Sequence, residues 1–277
     1  MVVFLLTIAA AVITVGVLGF LVIYVLVRGI PHLTPQLFAF TYTSDNVSMM
    51  PSIINTLLMT VLTLLVAVPL GVFAAIYLVE YAKNGSRLIA VVRVMAETLT
   101  GIPSIVYGLF GLDFFVRKMS IGDYAGSMLA ASLTLTLIVL PTMIRTTEES
   151  LLAVSSSYRE AAAAMGLSKF YTIRKVILPC AISGIVVAII LSIGRMISES
   201  AALLYTAGIA QDLPTSVLSH VKEPGATMTV QLYLYATEGG APEWVPYAMA
   251  AVLMLFVLFI EILTHLIAGI FARRKKG

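Results

Sequence analysis

Apolar runs long enough to cross a bilayer recur six times along this chain, and that recurrence restricts it to a bundle of membrane-spanning helices. The runs cover residues 3–27, 53–79, 89–112, 125–144, 181–204 and 245–271. About 20 mostly apolar residues suffice for a helix to span the hydrocarbon core, where every backbone N–H and C=O must find its partner within the protein. With 60% hydrophobic and only 11% charged residues, a water-soluble globule is excluded. The first run starts almost at Met1 and lacks a basic leader, so it is read as a retained anchor and not a cleaved signal.

Lysine and arginine accumulate on the cytoplasmic side of membrane proteins. If the N-terminus is inside, eleven basic residues fall there: Lys83, Arg87, Arg145, Arg159, Lys169, Arg174, Lys175 and the tail Arg273 to Lys276. Only Arg28, Arg117, Lys118 and Lys222 fall outside. Both termini are therefore expected in the cytoplasm, and the net charge of +3 reflects orientation, with no case for nucleic-acid binding. The single Cys180 excludes an internal disulfide, and no His/Cys cluster has metal-ligand spacing. No Gly-x-x-x-x-Gly-Lys-Ser/Thr loop is present, so any nucleotide chemistry belongs to a partner and no cofactor is expected here.

Between the fourth and fifth runs lies a polar insert, Arg159-Glu160-Ala161-Ala162-Ala163-Ala164-Met165-Gly166-Leu167-Ser168, followed by Leu178-Pro179. An alanine-rich helix capped within Ser155 to Ser157 should stop at Gly166, and Ser168 should cap a second short helix running toward Pro179. The spacing resembles the EAA loop of ATP-binding-cassette importer permeases, with Glu160, Ala161, Ala162, Gly166, Leu178 and Pro179 in register and Val176 in place of an isoleucine. In that family the loop is the coupling helix held in a cleft of the ATPase. The resemblance therefore assigns ATPase coupling to Glu160, Ala161, Ala162, Gly166, Leu167 and Ser168.

Polar groups within the apolar runs are candidates for a substrate path, because ionisable residues inside a membrane are costly. Arg195 and Glu199 are four apart and should pair on one helix face, with Ser192 on the same stripe and Ser198 nearby. The planar guanidinium suits a tetrahedral oxyanion; a structural bridge between subunits is the competing reading. Pro103 to Leu109 interrupts the third run, and Ser104 and Tyr107 supply hydroxyls there. Arg93 with Glu97, and Arg145 with Glu148, are further one-face pairs. The first is read as snorkelling to the interface and the second as a gating or relay pair beside the insert. Asn55 and Pro141 admit packing roles, and Glu261 with His265 an interfacial pair.

Ile102 to Leu109, Arg145-Thr146-Thr147-Glu148-Glu149, and Gly194-Arg195 with Glu199 and Ala201 to Leu204 narrow the likeness to phosphate-specific permeases, nearer the shorter A-type chain than the C-type. Ser198-Glu199-Ser200 departs from the Gly-Glu-Thr common in that family. The resemblance implies an all-α membrane protein of six transmembrane helices with the MetI-like permease fold. It would be one domain over residues 1–277, with a core of about 53–271 and a coupling loop of about 145–180. It further implies a homologous C-type permease, an ATPase dimer, an extracytoplasmic phosphate-binding protein and inorganic phosphate as partners, in the cytoplasmic membrane of a bacterium or archaeon. A permease for molybdate or sulfate, and an ATP-independent secondary transporter using Glu199 for protons, are the alternatives. No nucleophile, base and oxyanion set is available for an enzyme.

Overall fold

The computed structural model describes residues 1–43, 46–82, 87–122, 124–211 and 217–273. Lys83, Pro214 and the tail from Arg274 to Lys276 lie outside them, and so does the side chain of His265. Among the described residues, five helical segments are long and apolar enough to span a membrane: Val2–His32, Met50–Tyr81, Met128–Leu152, Lys169–Ile197 and Trp244–Leu263. A bent pair, Ile89–Thr100 followed by Ser104–Lys118 at 99°, makes six if it is counted as one span.

In chain order, the first four α-helices are α1 (Val2–Gly29), α2 (Met50–Ile76), α3 (Arg87–Thr100) and α4 (Ser104–Gly111). The central span α5 (Met128–Leu152) precedes α6 (Ser156–Ala164), α7 (Lys169–Thr172) and α8 (Leu178–Ile197). After these come α9 (Ala201–Thr206), α10 (Val217–His220), α11 (Met228–Thr237) and α12 (Trp244–Arg273). Wider π turns extend α2 over Tyr77–Tyr81 and α4 over Leu112–Lys118, and join α7 to α8 over Ile173–Ile177.

The core is built on α5, which packs against α2 and α8. Three of its buried hydroxyls are satisfied within the helix, as Ser132, Thr134 and Thr136 each bond the carbonyl four residues back at 2.7–2.8 Å, whereas Thr147 Oγ1 is buried with no hydrogen-bond partner among the described residues. Small residues set the close approaches: a Cβ on Gly71 would collide with Met143, and one on Gly184 with Ser150. By contrast α1 is exposed along almost its whole length and leans only on α12, as expected of a helix that faces lipid.

Two of the expected spans need correction. The third is a right-angled elbow and no simple kink, since Gly101-Ile102-Pro103 separates two helices and Pro103 supplies no N–H to bridge them. The fifth is displaced toward the N-terminus: the helix begins at Lys169, runs unbroken through Pro179, and ends at Ile197, before Ser198-Glu199-Ser200. The second helix of the polar insert is thus the first turns of a span.

At the end of the bundle opposite α6, the 217–227 segment folds over the start of α5, its Val221 and Glu223 carbonyls accepting from Leu129 and Met128 at 2.9 and 3.1 Å. Asn55 is drawn in with it, hydrogen-bonding His220 at 2.7 Å and the Ala226 carbonyl at 3.1 Å. Nearby, Tyr42 and Tyr235 share a 2.8 Å hydrogen bond, and burial together with that bond pushes the Tyr42 phenol above its ordinary value.

Candidate functional site

The polar insert forms a projecting knuckle. Ser155 caps α6, its Oγ accepting from the Ser157 N–H at 3.4 Å. At the other end the Gly166 N–H donates to Ala163 at 3.0 Å and the Leu167 N–H to Ala162 at 3.1 Å. Gly166 takes φ +70°, and nothing lies within 4 Å of where its Cβ would stand, so the backbone and not the packing demands glycine. Ser168 then caps α7, accepting from Tyr171 at 3.3 Å. Ala162 is buried, while Glu160, Ala161, Gly166 and Ser168 are exposed and Leu167 is half-buried. Tyr158, Met165 and Phe170 add exposed apolar surface around this small-residue face, a combination suited to a closely fitting protein partner.

One residue of the insert faces inward and is heavily bonded. The Arg159 guanidinium meets Glu80, on the π turn ending α2, through Nη2 at 2.7 Å and Nε at 3.0 Å. It also donates to the Leu151 carbonyl at 3.0 Å and the Val154 carbonyl at 2.9 Å, at and just past the end of α5. Last-turn carbonyls have no partner within their own helix, so Arg159 serves as a side-chain cap for α5 while pairing with α2.

Next to it, the charged residues of α3 and α5 exchange the partners expected from spacing. Arg93 pairs with Glu148 across the helix interface, its Nε at 2.9 Å, and not with Glu97. Arg145 pairs with Glu149 at 3.3 Å and reaches Glu97 at 3.9 Å, and not Glu148. The expected Arg145–Glu148 pair is therefore absent. Glu148 is buried on the α3 side of α5, where Arg93 can reach it, while Arg145 is exposed beside Glu149. A cavity of about 250 Å³ lies among these side chains between α3 and α5.

The Arg195–Glu199 pair does not form either. Because α8 ends at Ile197, the four-residue spacing no longer places the two on one face. Glu199 is buried and turned to α9, its Oε1 accepting from the Ala202 N–H at 3.2 Å, while its own carbonyl accepts from Thr229 Oγ1 at 2.8 Å. Ser192 is buried and bonds back to Ala188 at 2.9 Å; Ser198 is exposed and bonds back to Gly194 at 2.9 Å. Arg195 sits in the last turn of α8, exposed, with no carboxylate of the described residues within ion-pair distance.

Tyr107 has a structural duty at the elbow, its hydroxyl donating to the Leu99 carbonyl in the last turn of α3 at 2.8 Å. Ser104 is half-buried in the first turn of α4. Gly108 permits contact with α9, since a Cβ there would meet the Ala202 backbone. The inner side of the elbow, with Tyr107, Leu99, Val106 and Phe110, lines an apolar cavity of about 500 Å³ against α5. Sequence reasoning missed Glu80 and the use of Arg93. A lone acid ending an apolar run was the available signal for Glu80. Among the described residues no group of three or more His, Cys, Asp and Glu could hold a metal ion.

An elbowed helical bundle, with a basic side chain exposed in the last turn of one unbroken span and a knuckle projecting just before that span, has the architecture of a membrane permease component of a transporter. The chain belongs to the binding-protein-dependent transport system inner membrane component family, whose model matches residues 67–277. These are the permease subunits of ATP-binding-cassette importers. The "Phosphate transport system permease protein PstA" of Haemophilus influenzae is 34% identical over 244 residues, covering 86% of this chain and 83% of that protein. A "PstA homolog" of Mycoplasma pneumoniae is 36% identical over 232 residues, 81% of this chain, which spans only 35% of that relative's length. Among solved structures, the inward-facing MetNI methionine ABC transporter superposes with a TM-score of 0.64 at 21% identity, covering 80% of this chain and 95% of the compared chain. That likeness concerns the fold.

Proposed function

We propose that this chain is the A-type permease subunit of an ATP-driven importer of inorganic phosphate. It would form the translocation path with a homologous second permease, receive phosphate from an extracytoplasmic binding protein, and couple through the α6 knuckle to an ATPase dimer. In this reading α6 and both termini are cytoplasmic and the membrane is the cytoplasmic membrane of a bacterium or archaeon. The chain itself performs no hydrolysis; ATP belongs to the partner. The observation that carries the substrate is the identity to phosphate permeases over more than four-fifths of the chain. The exposed Arg195, with no acidic partner among the described residues, supports it as a bidentate donor to a tetrahedral anion.

The test is uptake of radiolabelled phosphate into proteoliposomes holding this chain, its neighbouring permease, the ATPase and the binding protein, with sulfate and molybdate as competitors. ATP-dependent uptake that resists both competitors is expected. Uptake without ATP would overturn the coupling, and displacement by another oxyanion would change the cargo.

A further inference from the structure

Most of what α6 presents is surface, yet one side chain ties it to the bundle, and the pattern of that tie goes beyond holding a loop in place. Arg159 lies one turn before the buried Ala162, so its guanidinium leaves α6 on the side turned to the bundle. It makes four polar contacts at 2.7–3.0 Å: two to Glu80 and one each to the Leu151 and Val154 carbonyls. Glu80 is 8% exposed and Arg159 29% exposed at the side chain, so the pair is shielded enough to keep its strength and does not rank with screened surface pairs. The contacts reach two different spans, α2 through Glu80 and α5 through its end, while the connection from α6 to α8 is covalent, through Ser168 and α7. Beneath them Ala75, Ile76, Leu151, Val154, Ile173 and Ile177 form one apolar cluster drawn from the same spans.

We propose that Arg159 and Glu80 form the tie by which displacement of α6 is passed to α2 and α5, making them positioning residues for coupling. The proposal rests on the reading of α6 as the ATPase contact. Apolar contacts slide at little cost, whereas a forked guanidinium bonded to a carboxylate and two carbonyls resists both translation and rotation. A pull on α6 therefore carries α2 and α5 with it. Glu80 stands on a π turn, a helix irregularity common at functional sites.

The test uses the complete transporter in proteoliposomes, with three readings on each variant. These are disulfide trapping of the ATPase subunit to a cysteine at position 161 (Ala161→Cys), ATP hydrolysis stimulated by loaded binding protein, and substrate taken up per ATP. Glu80→Gln keeps the shape and removes the charge; Arg159→Lys keeps the charge and loses the fork. Both are expected to leave trapping intact while uptake per ATP falls roughly tenfold for Glu80→Gln, and less for Arg159→Lys. The exchanged pair Glu80→Arg with Arg159→Glu should recover part of the ratio, which a merely structural role would not predict. Trapping retained with an unchanged ratio would overturn the tie alone. Failure of the unaltered background to trap the ATPase at position 161 would overturn the reading of α6, and the tie with it. Loss of membrane insertion in both single variants would also overturn it, by making the pair a folding requirement.

Discussion

Arg159 and Arg195 are both arginines at the edge of apolar structure, and the chain treats them in opposite ways. Arg159 is bonded to one carboxylate and two carbonyls of its own protein, whereas Arg195 stands exposed with no carboxylate of the described residues beside it. The nearby Glu199, which spacing offers as its partner, is bonded to α9 and α11. A guanidinium consumed internally fixes geometry; one left over at a membrane-embedded break is available to something outside the chain. On the proposed function, the contrast separates a coupling end of the molecule, around α6, from an end assigned to cargo or a neighbouring permease.

The largest expected effect sharpens that division. Arg195→Ala should reduce uptake by about 100-fold or more, with thermal unfolding in detergent nearly unchanged, since Arg195 makes no ion pair with the described residues. Arg195→Lys should retain a minor fraction, because the point charge remains and the fork is gone. A large fall in melting temperature on Arg195→Ala would break the comparison by revealing an internal role. Next in size, Gly166→Val should uncouple ATP hydrolysis from uptake, as a β-branched residue at φ +70° is strained by about 1–3 kcal/mol although space is open around it. Gly166→Asn, which tolerates the left-handed region, should retain most transport.

A smaller effect is expected between α3 and α5. Arg93→Met leaves the buried Glu148 without its partner and should lower stability by about 1–2 kcal/mol, read as a drop in melting temperature. The double exchange Arg93→Glu with Glu148→Arg should restore most of it. Smallest of all, Glu199→Gln keeps an oxygen to accept the Ala202 N–H and should cost less than about 1 kcal/mol, with uptake within about threefold of the parent. A collapse of transport in that variant would show Glu199 acting as a charge after all, either toward Arg195 or as a proton carrier.

What could be read from sequence follows from which forces are local. The Gly166 stop and the Ser155 and Ser168 caps depend on a few neighbouring residues, and the structure has them where the sequence puts them. Pro103 marked a break but not its angle, because 99° is set by how α4 seats against α5 and α9. The ion pairs were misjudged for one reason: spacing describes a helix's own face, whereas Arg93, Glu148 and Arg159 are satisfied across helices by residues 55 or 79 positions away. The end of α8 was legible in principle, since Ser198-Glu199-Ser200 before Ala201-Ala202 is capping chemistry. The apolar character on either side concealed it.

The unbroken helix from Lys169 to Ile197 begins three residues after Gly166 at the knuckle's turn and ends two residues past Arg195. At 1.5 Å per residue, its 29 residues form a beam about 43 Å long. Pivoted at its middle, a beam of that length moves each tip by roughly 2 Å for every 5° of tilt, the scale on which a hydrogen bond is made or lost. On the proposed reading of α6, a rocking of its end would reach Arg195 as leverage through one continuous rod, with no chain of side-chain rearrangements in between.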